Sequence, residues 1–343
     1  MLIDDAFMAQ LFQYQKNGYI REAKHPNLPL RIYNYTPKTT FESKWDNITL
    51  NTRGLVLDFN HNTHLPDLFI RGPKKFFNKD ENDFTPKMDL SKVLISEKLD
   101  GYYISIKLDP IYGLVISSRG SFCNKYTTAA EKLITEPIRQ QIRPNIQYFC
   151  ELLQDFVGDE GIIVTRHPVP KLICWAMRGN DGHEIIPTSN NCPFEVARKM
   201  SFEESAQYLK QEVEGIVAYN PKTEERVKLK TDWFLNMHRL ISDCTRNRVW
   251  ATCKDGGRIE DLDIPNEFME QMLAWQAQLR GLVELEYQRL LQLYDKYAEY
   301  SDKELGLSTL DPYIKGQIFN LRKDRISVVF DRIYLKKKAD FLQ

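Results

Sequence analysis

An α+β fold in two parts is predicted by three observations. Up to about residue 240, short β-rich runs alternate with turns. The clearest, Tyr102–Leu108, sets Tyr102, Ile104, Ile106 and Leu108 against Tyr103, Ser105 and Lys107, the period-2 pattern of a half-buried strand. Beyond that point the pattern turns helical: Phe268, Met272, Trp275, Leu279, Leu282, Glu286 and Leu290 step by three and four and are mostly apolar, a stripe that reads as core packing. Many short strands with few long helices favour antiparallel or mixed sheets with flanking helices in residues 1–240, and residues 241–343 form a mainly helical carboxy-terminal domain.

Further strands are expected at Leu55–Phe59, Val93–Ser96, Gln147–Leu153, Leu172–Met177, Ile216–Tyr219 and Arg226–Lys230. Pro110 and Gly113 turn the chain from Tyr102–Leu108 into Leu114–Ser118, and Asn220-Pro221-Lys222-Thr223 joins the last two strands. The first long helix runs from Asn266 to about Tyr300, with Pro265 at its start and Gly281 its only breaker. A last helical segment covers Pro312–Leu335 after the Asp311-Pro312 start signal.

With 343 residues, 42% of them hydrophobic and 27% charged, the chain can bury a sizeable core and is not globally disordered. Lys plus Arg and Asp plus Glu both number 47, so a nucleic-acid partner would have to be held by local basic patches rather than bulk charge. No run approaches the roughly 18 apolar residues of a membrane span. The segment MLIDDAFMAQLF has two acids and no early basic residue, unlike a signal peptide. Cys123, Cys150, Cys174, Cys192, Cys244 and Cys253 form no C-x-x-C pair, so neither a zinc site nor a disulfide framework is expected, and a reducing cytoplasm fits best. The six histidines form no H-x-x-x-H pair; His61 and His64, three apart beside Pro66, read as a surface loop.

Four segments carry chemistry. Lys98-Leu99-Asp100-Gly101 lies between two expected strands and alone would pass for a charged hairpin turn. Glu151 ends the apolar run Tyr148–Leu153, where a carboxylate needs a partner. Glu214-Gly215 opens another apolar strand. In Val227-Lys228-Leu229-Lys230, two-residue spacing puts both lysines on one face. A solvated edge strand explains each segment separately but not their joint order.

That order, K-x-D-G, Glu, E-G, K-x-K, resembles the covalent nucleotidyltransferases, the superfamily of DNA ligases, RNA ligases and RNA capping enzymes. Within it the chain is most similar to the RNA ligase 1 family of T-even bacteriophage type. Thr52-Arg53-Gly54, Pro73-Lys74-Lys75-Phe76-Phe77-Asn78, Ser118-Arg119-Gly120-Ser121 and the Asp232-Trp233 ending extend the likeness over roughly residues 30 to 240. It departs from the family at Tyr102, where a serine is usual, at Leu99, which replaces an acid, and at Arg119, which matches a lysine. After Trp233 the chain turns helical, unlike the small β-barrel that follows this domain in DNA ligases and capping enzymes.

The resemblance implies residues 1–240 as a nucleotidyltransferase (adenylation) domain and residues 241–343 as a module for RNA or tRNA recognition. It implies an ATP-dependent RNA ligase: a lysine takes AMP from ATP, AMP passes to an RNA 5′-phosphate, and a 3′-hydroxyl displaces it. Lys98 would be the nucleophile, a role that needs the neutral amine and hence cations or partial desolvation nearby. Lys228 and Lys230 would hold the α-phosphate, and Arg53 and Lys75 the outgoing phosphates. Glu151 would accept from the ribose hydroxyl. Glu214 would place a magnesium ion, with manganese as an alternative. Glu97, Asp100, Gly101 and Arg119 complete the ATP site, and Phe77, with Trp175 or Met177, would line the adenine pocket. The implied partner is RNA with 5′-phosphate and 3′-hydroxyl ends, nicked tRNA being the model substrate, acted on by a monomer in the cytoplasm, that of an infected host included, with no membrane involved. The alternatives are a nucleotidyltransferase acting on DNA or a capping-type 5′ end, and a non-catalytic RNA-binding protein of the same fold. The basic stretch of Arg322, Lys323, Arg325, Arg332, Lys336, Lys337 and Lys338 is either a solvated helix face or a phosphate-tracking surface.

Overall fold

A computed structural model describes residues 2–60, 64–156, 163–262, 264 and 266–342. They divide into two compact units, residues 2–156 with 163–236, and residues 237–342.

The first unit is α+β and holds three sheets. Ile20–Lys24, Leu30–Tyr35, Arg53–Asp58 and Asp67–Ile70 pair antiparallel in chain order. In the second sheet Gly113–Ser118, Tyr102–Asp109, Ile146–Leu153, Lys171–Gly179 and Glu184–Ile185 are neighbours in that order, all antiparallel, and Glu195–Val196 adds parallel to Lys171–Gly179. The third sheet orders Lys199–Met200, Leu94–Lys98, Gly215–Asn220, Glu225–Lys230 and Phe77–Asn78, with only the last pair parallel.

All eight expected strands form, with ends shifted by a few residues. The Tyr102–Asp109 strand is covered on both faces rather than one. Ile104 and Ile106 pack in a core with Ala130 of the Lys125–Leu133 helix, while Tyr103 packs with Leu30, Ile32 and Val56 of the first sheet. Its polar residues are therefore buried and must be satisfied: Ser105 and Ser117 share a 2.7 Å hydrogen bond, and Lys107 Nζ donates to the Phe69 carbonyl at 3.0 Å. His64 is exposed, its Nε2 2.8 Å from Asp5 Oδ1, whereas His61 lies outside the described residues.

The second unit is helical. Asn266–Lys296 is its long helix, and Met272, Leu279, Val283 and Leu290 pack with Val249, Val329 and Ile333 in one core. Pro265, expected to start this helix, lies outside the described residues. The single helix expected over Pro312–Leu335 is two, Pro312–Arg322 and Ile326–Leu342, because Asp324 takes a left-handed φ of +50° that no α-helix accommodates. Much of the basic stretch is committed within this unit. Lys336 and Lys337 pair with buried Glu286, Arg322 pairs with Asp302, and Lys338 sits over the Trp250 ring. Among the described residues no helix is long and apolar enough to cross a membrane. No disulfide links any of the six cysteines.

Candidate active site

Strand register brings the K-x-D-G, E-G and K-x-K segments together. Gly215 is the pairing partner of both Lys98 and Lys230, so three neighbouring strands align these positions in one row. Glu214, one residue earlier and almost fully buried, receives both amines: Lys98 Nζ lies 2.6 Å from its Oε2 and Lys230 Nζ 3.0 Å from its Oε1. Only glycine fits at 215. Its φ is +147°, and a β-carbon would overlap the Leu229 carbonyl oxygen.

Gly101 performs a similar service. A β-carbon there would come within 2.6 Å of the Leu152 carbonyl oxygen and 2.8 Å of Glu151 Cγ, so its absence lets the turn after Lys98 close onto the Ile146–Leu153 strand. Asp100 locks that turn. Its carboxylate accepts from the Val164 and Thr165 amides at 2.7 and 2.8 Å, and its carbonyl oxygen lies 2.6 Å from His167 Nε2. Burial, then the nearby Glu214 charge, raises its pKa above the usual carboxylate value. Asp100 and Gly101, expected among the ATP ligands, thus shape the turn and are absent from the cavity wall.

The cavity next to Lys98 is lined by Arg53, Phe76, Glu97, Lys98, Glu151 and Trp175, and further along by Glu184, Val217, Tyr219 and Arg226. Arg53 is caged by aromatics, its guanidinium carbon 4.8 Å from the Tyr103 ring, 5.4 Å from Phe76 and 6.0 Å from Trp175. One buried terminal nitrogen of Arg53 and the indole nitrogen of Trp175 have no partner. Glu97 is on the wall, and its carboxylate accepts from the Arg198 amide at 2.8 Å.

Phe77 is corrected. It pairs with Val227 at the sheet edge and is buried against Tyr35 and Trp45, so strand alternation turns its neighbour Phe76 into the cavity. Of the two other aromatic-pocket candidates, Trp175 lines the cavity and Met177 is buried in the opposite core. Lys75, Arg119, Glu214, Lys228 and Lys230 also stand outside the cavity wall, the last three brought beside Lys98 by the strand register. Lys75 Nζ lies 5.0 Å from the Phe77 ring centre and the Arg119 guanidinium 5.6 Å from that of Tyr35.

Electrostatics single out two groups. Burial, followed by repulsion from Lys75, Lys98 and Lys230, pushes Lys228 down to about 7. Burial pushes Glu151 up to about 7, with Lys98 and Arg53 pulling the other way. The sign for Lys228 follows directly. It is cationic below pH 7 and neutral above, and a bound phosphate would restore its proton, so anion binding takes up a proton. Affinity for inorganic pyrophosphate is expected to fall by up to about tenfold per pH unit above 7. Titration between pH 6 and 9 checks this, and Lys228→Gln should flatten the profile.

Among the lining residues that escaped the sequence reading are Arg226, Tyr219 and Glu184. Arg226 was legible, because it extends the two-residue period of Lys228 and Lys230 on one strand face. Tyr219, its cross-strand partner, carried no signal of its own. Neither did Glu184, which takes both Arg178 and Arg226 as ion-pair partners.

No family model matches the chain. Among solved structures it is similar to an archaeal ATP-dependent RNA ligase, with 14% identity over 79% of this chain and 75% of that one and a TM-score of 0.49. It is also similar to an Aquifex aeolicus chain assigned as an ATP-dependent DNA ligase, with 13% identity, 85% and 80% coverage and a TM-score of 0.44. A Naegleria gruberi RNA ligase variant solved with ATP and Mn gives 12% identity, 43% and 51% coverage and a TM-score of 0.34.

Proposed function

We propose that this chain is an ATP-dependent RNA ligase that joins 5′-phosphate and 3′-hydroxyl ends through a lysyl-AMP. The observation that carries the reading is Lys98, at a strand end on the wall of an aromatic-lined cavity, its amine held by a buried carboxylate that also holds Lys230.

The chemistry follows from these positions. The Lys98 amine attacks the α-phosphorus of ATP, an N–P bond forms, and the bond to the β-phosphate oxygen breaks to release pyrophosphate. The proton lost by the amine has an acceptor at hand in the Glu214 carboxylate. Lys228 and Lys230 meet the charge that builds on the phosphoryl oxygens. Glu151, ionised above about pH 7, accepts from the ribose hydroxyl. Arg53, fixed by its aromatic cage, offers donors to the departing phosphates. An RNA 5′-phosphate oxygen then attacks the same phosphorus and frees Lys98. Finally a 3′-hydroxyl attacks the RNA phosphate and AMP leaves.

Glu214 is the carboxylate that would hold magnesium, an ion that needs few protein ligands; its two oxygens face the Lys98 and Lys230 amines, so the ion would take the place of one of them. When bound, the ion would neutralise phosphate charge. Among the described residues no group of three or more His, Cys, Asp or Glu side chains could hold a metal by itself, as suits an ion shared with substrate.

Trp175 and Phe76 would stack the adenine. Trp175→Ala should weaken ATP binding by about 1–3 kcal/mol, roughly 5- to 150-fold, read by calorimetry. The test of the acceptor supplies ATP and magnesium with matched 5′-phosphorylated RNA and DNA strands. RNA-adenylate and sealed RNA are expected. Sealing of DNA alone, or transfer of GMP from GTP to a 5′-diphosphate end, would replace the RNA-ligase reading with a relative acting on another acceptor.

A further inference from the structure

A second cavity of the first unit has a different character from the one that holds Lys98. Arg71, Lys74, Lys107, Arg178 and Lys222 contribute five cations to its wall, against the two carboxylates of Asp181 and Glu224. Both acids are already engaged. Glu224 takes Arg178 at 3.1 Å and the Glu184 amide at 3.1 Å, and Asp181 accepts from the His183 amide at 3.0 Å. Arg178 is engaged as well, by Glu184, Glu224 and the Gly182 carbonyl, and Lys107 by the Phe69 carbonyl, which leaves Arg71, Lys74 and Lys222 as the cations with most donors to spare. The side chains of Lys74 and Lys222 have no partner among the described residues, and the Nε atoms of Arg71 and Arg178 are buried without one.

This is not a solvated charge run. Arg178 is only 2% exposed and Lys107 only 9%, so the wall contains cations already stripped of water. The Arg71 pKa is lowered by burial first and by the Arg178 charge second, and that of Lys107 by burial. An anion at this wall would offset the repulsion between Arg71 and Arg178 and give Lys74 and Lys222 a partner. The cations arrive from several directions: Arg71 and Lys74 follow the Asp67–Ile70 strand, Lys107 and Arg178 lie on two strands of the second sheet, and Lys222 sits on the turn before Glu225–Lys230. A compact group with several oxygens can answer them together, and a guanidinium matches phosphate oxygens in pairs.

We propose that this cavity is a second anion site that binds a phosphate group, either a phosphodiester of an RNA strand or free phosphate. The site lies outside the adenylation cavity and stands whether or not that cavity performs the chemistry assigned to it.

The experiment uses the full chain and two probes, inorganic phosphate followed by calorimetry and a 5′-hydroxyl single-stranded RNA followed by fluorescence anisotropy. The variant Arg71→Gln/Lys74→Gln/Lys222→Gln is expected to lose about tenfold or more in affinity for at least one probe, with self-adenylation unchanged. Loss for RNA, with a shallower dependence of affinity on salt, identifies a strand phosphate; loss for inorganic phosphate alone identifies the free anion. Lys222→Gln alone, on an exposed turn, gives a smaller loss in the same direction and serves if the triple variant misfolds. Unchanged affinity for both probes overturns the site. So does phosphate binding that Lys228→Gln abolishes and the triple variant keeps, since the anion would then sit at the adenylation site. Failure of self-adenylation in the wild-type protein would count against the ligase reading and leave this result standing.

Discussion

Lys98→Ala is expected to lower transfer of AMP to the protein by roughly 10⁴-fold or more, with no loss of folded protein. The alanine variant alone would leave an ambiguity, because Glu214 holds both Lys98 and Lys230, and removing one cation changes the field around the other. Lys98→Arg resolves it. A guanidinium keeps the positive charge opposite Glu214, but it stays protonated near pH 7 and supplies no neutral nucleophile. Both variants should therefore be equally inactive in labelling by ATP carrying a labelled α-phosphate, followed on denaturing gels, while their thermal unfolding stays near wild type. Label on a folded Lys98→Arg protein would move the nucleophile to another residue.

Gly215→Ala should cost about 3 kcal/mol or more, the largest stability loss expected from a single methyl group in this chain. Two penalties coincide there. The φ of +147° lies where side-chain-bearing residues are strained, and the added carbon meets the Leu229 carbonyl oxygen, which belongs to the strand that carries Lys228 and Lys230. Gly113→Ala is the control. Its φ of +74° is also left-handed, but nothing lies within 4 Å of the added carbon, so only the conformational penalty, about 1 kcal/mol, applies. Urea unfolding followed by tryptophan fluorescence separates the two. Equal losses would mean that Leu229 moves aside and that the row of Lys98, Gly215 and Lys230 is not rigidly set.

How much of this was legible in the sequence depended on how local the physics was. Strands with alternating or continuous apolar runs, such as Tyr102–Asp109 and Ile146–Leu153, declare themselves through side-chain periodicity. The short Ile20–Lys24, Leu30–Tyr35 and Asp67–Ile70 strands do not, because they are secured by pairing with their sheet neighbours rather than by their own pattern. The break at Asp324 was hidden for a related reason: aspartate tolerates helix and left-handed turn alike, and only the packing of the two flanking helices decides. At the site, Glu151 stood out because a carboxylate in an apolar run needs a partner, whereas Lys98, Glu214, Lys228 and Lys230 became legible through the joint order K-x-D-G, Glu, E-G, K-x-K and the resemblance it carries. The choice of Phe76 over Phe77 needed the register with Val227, which no spacing rule supplies. Glu184 was invisible because its role arises from Arg178 and Arg226 meeting it across two sheets.

The most direct test of the central claim is to incubate the wild-type protein with magnesium and ATP labelled at the α-phosphate, digest it, and locate the label. The account predicts one acid-labile AMP on the peptide containing Lys98. Label on a different lysine, or none from ATP, GTP or NAD on folded protein freed of bound AMP, would contradict it.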